Sequence, residues 1–374
     1  MLSSYCAIKR GMDGIFNERR IVNSIDNFNS NTLITEKRII PRESSASVNT
    51  VAGGHWEYIE RIDAPYNYSD EVCNATFIRG SDCNGASCPK NLMNWKYHDS
   101  SNEPYPTFHV DGFREHMRNK QIMFLGDSTM RQQVQALVWT LGYKIVNWNN
   151  RSLGKMNFYC MIDQIGNVTI CYQFMGSMAT KVYRDGNYTL DLKDYKLEFS
   201  FMAERETSFL LEDETINDLA VFDIVFIQGV AWFAGIPGFY NSPTSPRKWI
   251  DEILPELYRD VWEVLLTKLS DKTKVVLTLG QTGTSCENKT VPEPYYPELI
   301  PNKYSWVISP KLSNLSLDII KDLSLEVQVV DAREPLMQSV HAHKNTDCLH
   351  FFMSSAAVNI YLDMYWNEVF RDYF

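Results

Sequence analysis

The sequence contains no run of about eighteen consecutive apolar residues, so no membrane-spanning helix is expected from it. Its most apolar stretch, Asp223 to Tyr240, is interrupted by Gln228, Gly229, Gly235, Pro237 and Gly238. There is no Cys-x-x-Cys pair, which weakens a zinc-ribbon or thioredoxin reading. No metal-ligand constellation stands out, since His341-x-His343 is a lone pair on a loop; no metal is expected. Positive charge is in deficit. The 36 Lys and Arg are outnumbered by 46 Asp and Glu, for a net charge of −10 and a pI near 5.3. That balance argues against a nucleic-acid partner and disfavours an anionic polymer substrate. Internal repeats are absent, and no apolar segment follows Met1–Arg10, so no signal peptide is read there.

What remains is an ordinary globular composition. Apolar residues make up 44% and charged residues 22% of the 374 positions. Wholesale disorder, a collagen-like repeat and a disulfide-dense miniprotein are thereby excluded, and the length suits one large domain or two average ones. Eight cysteines are present. Cys73, Cys83 and Cys88 crowd one segment, Cys160 and Cys171 flank a hairpin-like pattern, Cys286 and Cys348 sit beside other polar residues of interest, and Cys6 is the odd one out. We favour disulfides over buried free thiols. Asn-x-Ser/Thr sequons at Asn67, Asn74, Asn150, Asn167, Asn187, Asn288 and Asn314 point the same way, to a secretory-pathway protein, although composition alone yields some of them.

Residues 1–50 are polar and without periodicity, and read as a disordered tail. Residues 51–112 hold prolines, three cysteines and many aromatics, and read as an irregular, cross-linked wrapping segment. From residue 113 to 374 the pattern becomes that of an α/β domain. Ile122–Leu125 is a short apolar run ending at Gly126, which predicts a buried strand and a tight turn. Met130, Val134, Leu137, Val138 and Leu141 follow at helical spacing. Similar runs at Phe222–Ile227, Val275–Leu279 and Val327–Val330 alternate with helical patterns over 246–269, 311–324 and 354–370. Strands alternating with helices predict a central parallel sheet with helices on both faces. Residues 144–215 instead alternate apolar and polar positions, and predict a β-rich insertion forming a second lobe beside the cleft.

The sharpest local signal is Gly126-Asp127-Ser128, placed where the strand ends and the helix begins. Unpaired backbone N–H groups and the positive helix terminus gather there. An oxyanion formed by serine attack on a carbonyl would be stabilised by those donors. The plainer reading is that Asp127 or Ser128 caps the helix. A serine nucleophile needs a base. His350, in Asp347-Cys-Leu-His350, follows the last strand pattern, where its loop faces the carboxyl edge of a parallel sheet. Asp347 is placed to orient that imidazole; the alternative is a capped or core histidine. Arg131 is either an oxyanion-site cation or a surface helix charge. Trp232 and Phe233 belong either to the core or to a sugar-stacking face.

Gly126-Asp-Ser128 together with Asp347-x-x-His350 resembles the signatures of the PC-esterase proteins, which include the trichome-birefringence-like polysaccharide O-acetyltransferases. Trp56-Glu-Tyr, Pro65-Tyr66, Cys73, Phe77-Ile-Arg79, Cys83, Asn94-Trp-Lys96, Phe108 and Phe113-x-x-x-Met117-Arg-x-Lys120 follow in that family's order. The block Ile122–Gln132 and the segment Thr284–Pro292 extend the likeness over about 55–374, with a patchy stretch at 144–215. The resemblance implies an SGNH-like three-layer sandwich with a smaller lobe and a triad of Ser128, His350 and Asp347. It further implies Arg131 near the oxyanion site and a Cys286–Cys348 bridge. The chain departs from the wider superfamily at Gln228-Gly229-Val-Ala-Trp232, where an oxyanion Asn is missing; Arg131 and backbone amides would have to compensate. It also has Phe351-Phe-Met353 where plant members carry Trp-Cys-Leu-Pro.

The expectation is therefore transfer of an acyl group, most simply acetyl, to or from a glycan hydroxyl through an acyl-enzyme. Asp127, Arg131, Gly229 and Trp232 are assigned to the oxyanion or substrate side of the site. A carbohydrate O-acetyl esterase and a non-catalytic glycan-binding protein are the alternatives. No cofactor is expected to be bound permanently. The acyl donor, acetyl-CoA or an acetylated intermediate, would be a substrate, and a membrane acyl-donor transporter would be a partner. The expected location is the Golgi lumen or the extracellular space.

Overall fold

The apolar runs of the sequence become the inner strands of one sheet. The computed structural model describes residues 48–50, 53–59, 95–142, 158–174, 217, 219–228, 254–280, 309–339, 350–351 and 356–372. Within them the strands are β1 (Val48–Thr50), β2 (His55–Tyr58), β3 (Trp95–His98), β4 (Gln121–Gly126), β5 (Phe158–Asp163), β6 (Val168–Phe174), β7 (Ile224–Ile227), β8 (Lys274–Leu279) and β9 (Val327–Asp331). The helices are α1 (Val110–His116), α2 (Ser128–Thr140), α3 (Leu254–Ser270), α4 (Ser309–Asp322), α5 (Arg333–Met337) and α6 (Ala356–Tyr365), the last continuing into a π-helical turn over Trp366–Phe370.

Seven strands form one sheet in the order β1-β9-β8-β7-β4-β6-β5. All neighbours from β1 through β6 run parallel, and only β5, on the edge, is antiparallel to its partner β6. Ile122–Leu125 of β4 and Ile224–Ile227 of β7 are buried throughout, and the rings of Phe124 and Phe226 stack at 4.6 Å between adjacent strands. Burial on both faces is the reason these strands read as unbroken apolar runs rather than alternating ones. Lys120 and Gln121 are fixed at the start of β4 by Asp223, whose Oδ2 accepts from the Gln121 amide at 2.9 Å, so Asp223 is a structural residue.

The order of connections decides where the helices go. From β4 the chain crosses to β6 on one side; from β7 it steps to β8 and then β9 on the other. Right-handed crossovers in opposite directions place their helices on opposite faces. The packing agrees: α2 pairs with α6, and α3 pairs with α4. Within the second pair, Tyr258 and Ser316 share a buried hydrogen bond of 2.7 Å.

Two readings of the sequence are corrected. Residues 158–174, placed in a second β-rich lobe, instead form the β5–β6 hairpin of the central sheet, with β6 in register beside β4 from Gln121↔Thr169 to Gly126↔Phe174. The alternating pattern that suggested a separate lobe is that of a sheet edge with one face solvated, as exposed Ile162 illustrates. Cys160 and Cys171 face each other across this hairpin and form a disulfide, as the favoured reading of that pair expected. The rest of 144–215 lies outside the described residues. Val48–Thr50, assigned to the disordered tail, pair with Val329–Asp331 as the outermost strand; three residues are too few to leave a periodic signal. Residues 1–47 lie outside the described set.

The described parts of the N-terminal segment hold to the end of the chain. The β2–β3 ladder sets Trp56 against Tyr97, and Trp56 Nε1 donates to the Pro335 carbonyl at 2.8 Å. The Phe108 amide donates to Asp363 Oδ1 at 2.7 Å, Asn367 Nδ2 to the Pro106 carbonyl at 2.8 Å, and the Tyr105 hydroxyl to Glu368 Oε1 at 2.8 Å.

Candidate active site

Site construction begins at the end of β4. Gly126 occupies a position where a Cβ would come within 2.5 Å of the Met130 Cβ and 2.8 Å of the Gln228 carbonyl oxygen. Only glycine lets the turn pass this close to the end of β7. Asp127 then caps α2: its Oδ1 accepts from the Thr129 amide and the Thr129 hydroxyl, each at 2.8 Å. The carboxyl is fully buried, and burial pushes its pKa up; the Thr129 hydrogen bonds and the nearby His350 act against that rise. The capping reading of Asp127 therefore holds, and it leaves Ser128, the first helical residue, to other work.

The Ser128 hydroxyl lies 2.5 Å from His350 Nε2, across 222 positions of sequence. Ser128 is nearly buried and the imidazole half-buried. At that distance a proton can pass from oxygen to nitrogen without rearrangement. The pair stands beyond the carboxyl ends of β4 and β7. Here the connections diverge, one leading to β6 and the other to β8, which is the crevice where parallel α/β sheets place their ligands.

Several hydrogen bonds fix this arrangement. One turn beyond Ser128, Gln132 Nε2 donates to the carbonyl of Phe351 at 2.8 Å. The Tyr172 hydroxyl, from β6, lies 3.0 Å from the Asp127 carbonyl and 3.2 Å from that of Gly126. Below, the amide of Gln228 donates to the Leu125 carbonyl at 2.9 Å, and Gln133 Nε2 donates to Gln228 Oε1 at 2.6 Å. Gln133 Oε1 in turn accepts from the Tyr365 hydroxyl, itself 3.2 Å from that of Thr278. Buried polar groups linked in this way tie together the elements they connect, here α2, α6 and the ends of β7 and β8.

Of the expected site residues, Ser128, His350 and Asp127 come together. Arg131 sits on α2, three residues past Ser128 and so on the same side of the helix, with its side chain half-buried. Asp347, Gly229, Trp232, Phe233, Cys286, Cys348, His341 and His343 lie outside the described residues. Gln132, Gln133, Tyr172 and Tyr365 were not singled out as site residues from the sequence. A signal for the glutamines was present. Gln132, Gln133 and Gln135 interrupt a helix that the structure buries nearly all round. Polar groups in such a place need partners. Among the described residues no helix is long and apolar enough to cross a membrane, and no group of three or more His, Cys, Asp or Glu is arranged to hold a metal. Compared with models of known protein families and with curated proteins, the chain matches none.

Proposed function

We propose that this protein transfers an acyl group, most simply acetyl, to or from a hydroxyl of a glycan through a Ser128 acyl-enzyme. The observation that carries the reading is the 2.5 Å approach of Ser128 Oγ to His350 Nε2 at the helix terminus. His350 takes the hydroxyl proton as Ser128 attacks the acyl carbonyl. The tetrahedral oxyanion is held by backbone amides at the start of α2 and by Arg131, and Gly229 and Trp232 are assigned to the oxyanion or substrate side. Collapse expels the donor's leaving group, which takes up the proton from His350. A sugar hydroxyl then attacks the acyl-enzyme with His350 again as base. Asp347, three residues before His350, is assigned to orient the imidazole. In this reading the fold is an SGNH-like three-layer sandwich of the PC-esterase kind. The acyl donor is a substrate, supplied as acetyl-CoA or an acetylated intermediate by way of a membrane transporter. The Cys160–Cys171 disulfide supports a secretory compartment. Water in place of the sugar would make the same site an esterase.

The test has two stages. A fluorophosphonate probe should label the wild-type chain and fail to label Ser128→Ala, which should fold normally. An acetyl donor incubated with a glycan panel should then give sugar ester in preference to free acetate, read by mass spectrometry. Equal labelling of Ser128→Ala would refute the nucleophile. Free acetate alone would assign hydrolysis. Glycan binding with no labelling of the wild type would assign a non-catalytic binder.

A further inference from the structure

We propose that Gln132 is a positioning residue that holds the catalytic histidine to the helix bearing the nucleophile. The inference rests on the Ser128–His350 reading above and extends it. Gln132 lies four residues after Ser128, so both side chains rise from the same face of α2. Its Nε2 donates at 2.8 Å to the carbonyl of Phe351, the residue next to His350, and the two partners lie 219 positions apart in sequence. Both Gln132 and Phe351 are 7% exposed, so water offers little substitute at that carbonyl. The helix therefore carries the nucleophile and, one turn on, the clamp on the base. Nucleophile and base are thereby referenced to one rigid element rather than to a loop.

The consequence is specific. With the clamp removed, the backbone beside His350 loses its tie to the helix that bears Ser128, and the Phe351 carbonyl loses the Gln132 donor. The 2.5 Å proton path is then no longer enforced. A displacement of about 1 Å at reacting groups costs on the order of a hundredfold in rate. The Gln132 amide is engaged by the Phe351 carbonyl and lies off the Ser128–His350 proton path, so its loss should lower kcat and leave KM nearly unchanged. Because the side chain does not titrate, the pH–rate profile keeps its midpoint and loses height.

The experiment compares Gln132→Leu and Gln132→Met, neither of which titrates or donates, with wild type by fluorophosphonate labelling rate across pH and by kcat and KM on p-nitrophenyl acetate, well below the unfolding temperature. Two variants are used so that a folding failure in one leaves the other. Tyr258→Phe is the control: it removes a buried hydrogen bond between α3 and α4, on the other side of the sheet. The expected result is a fall on the order of tenfold to a hundredfold in labelling and kcat for both Gln132 variants, with Tyr258→Phe reacting like wild type when folded. Labelling of the Gln132 variants within about twofold of wild type would overturn the inference, as would an equal fall in Tyr258→Phe. Ser128→Ala separates the two claims. If it abolishes labelling while Gln132→Leu reacts normally, only the clamp is wrong; if it labels normally, the underlying pair is wrong and the clamp falls with it.

Discussion

Among the described residues, Glu368 carries a readily measured electrostatic cost. It lies in the π-helical turn after α6, half-buried, with Oε1 accepting from the Tyr105 hydroxyl at 2.8 Å. Burial is the main cause that pushes its carboxyl up to about 8; the Tyr105 hydrogen bond lowers it and the Asp331 carboxylate raises it further. An acid held neutral in the folded chain but free to ionise when unfolded stabilises the fold only at low pH. Between the ordinary glutamate value and about 8 the folded state binds the extra proton, so stability falls as pH rises through that window and is level above it. At about 1.4 kcal/mol per pH unit, the rise from 4.5 to about 8 sets an upper bound of about 5 kcal/mol. Solvent reaching the half-buried carboxyl screens this, and we expect about 1–3 kcal/mol. Glu368→Gln retains an oxygen for Tyr105 and removes the charge. Urea unfolding at pH 5, 7 and 9 should show the variant close to wild type at pH 5 and increasingly more stable by pH 9. A gap between the two that does not widen with pH would refute the argument.

Two further outcomes are expected. Gly126→Ala should destabilise by about 1–3 kcal/mol, the usual cost of overpacking, because Met130 and the Gln228 backbone must yield to the new methyl; denaturant midpoints check this, and an unchanged midpoint would count against the close approach. Peptide mapping without reduction should recover Cys160 and Cys171 as one linked pair, and finding both alkylated would remove the disulfide.

The parallel sheet was legible because its strands are buried on both faces, and Ile122–Leu125, Val275–Leu279 and Val327–Val330 announce that as apolar runs. The helix ends read at 269, 311, 324 and 354 shifted by a residue or two, and the start read at 246 lies outside the described residues. The pattern over 311–324 became Ser309–Asp322, with Ser324 at a φ of 50° beyond its end. The β5–β6 hairpin was misplaced because alternation records one wet face and carries no information on which sheet the strand joins. Ser128 and His350 were legible by chemistry and by their place at strand ends. Gln132 was legible only as a polar residue in a buried helix that needed a partner; which partner depends on an acceptor 219 positions away, which spacing does not reveal. The short helices α1 and α5 are too brief for a period to show.

The 222-position interval between Ser128 and His350 also has a temporal meaning. During synthesis the serine emerges long before its proposed base, His350, which arrives only after the last sheet strand and just ahead of the helix that packs on α2. In the proposed mechanism the hydroxyl stays an ordinary alcohol, inert toward esters, until that closing helix docks, so that reactivity at this one oxygen would be a readout of completed assembly.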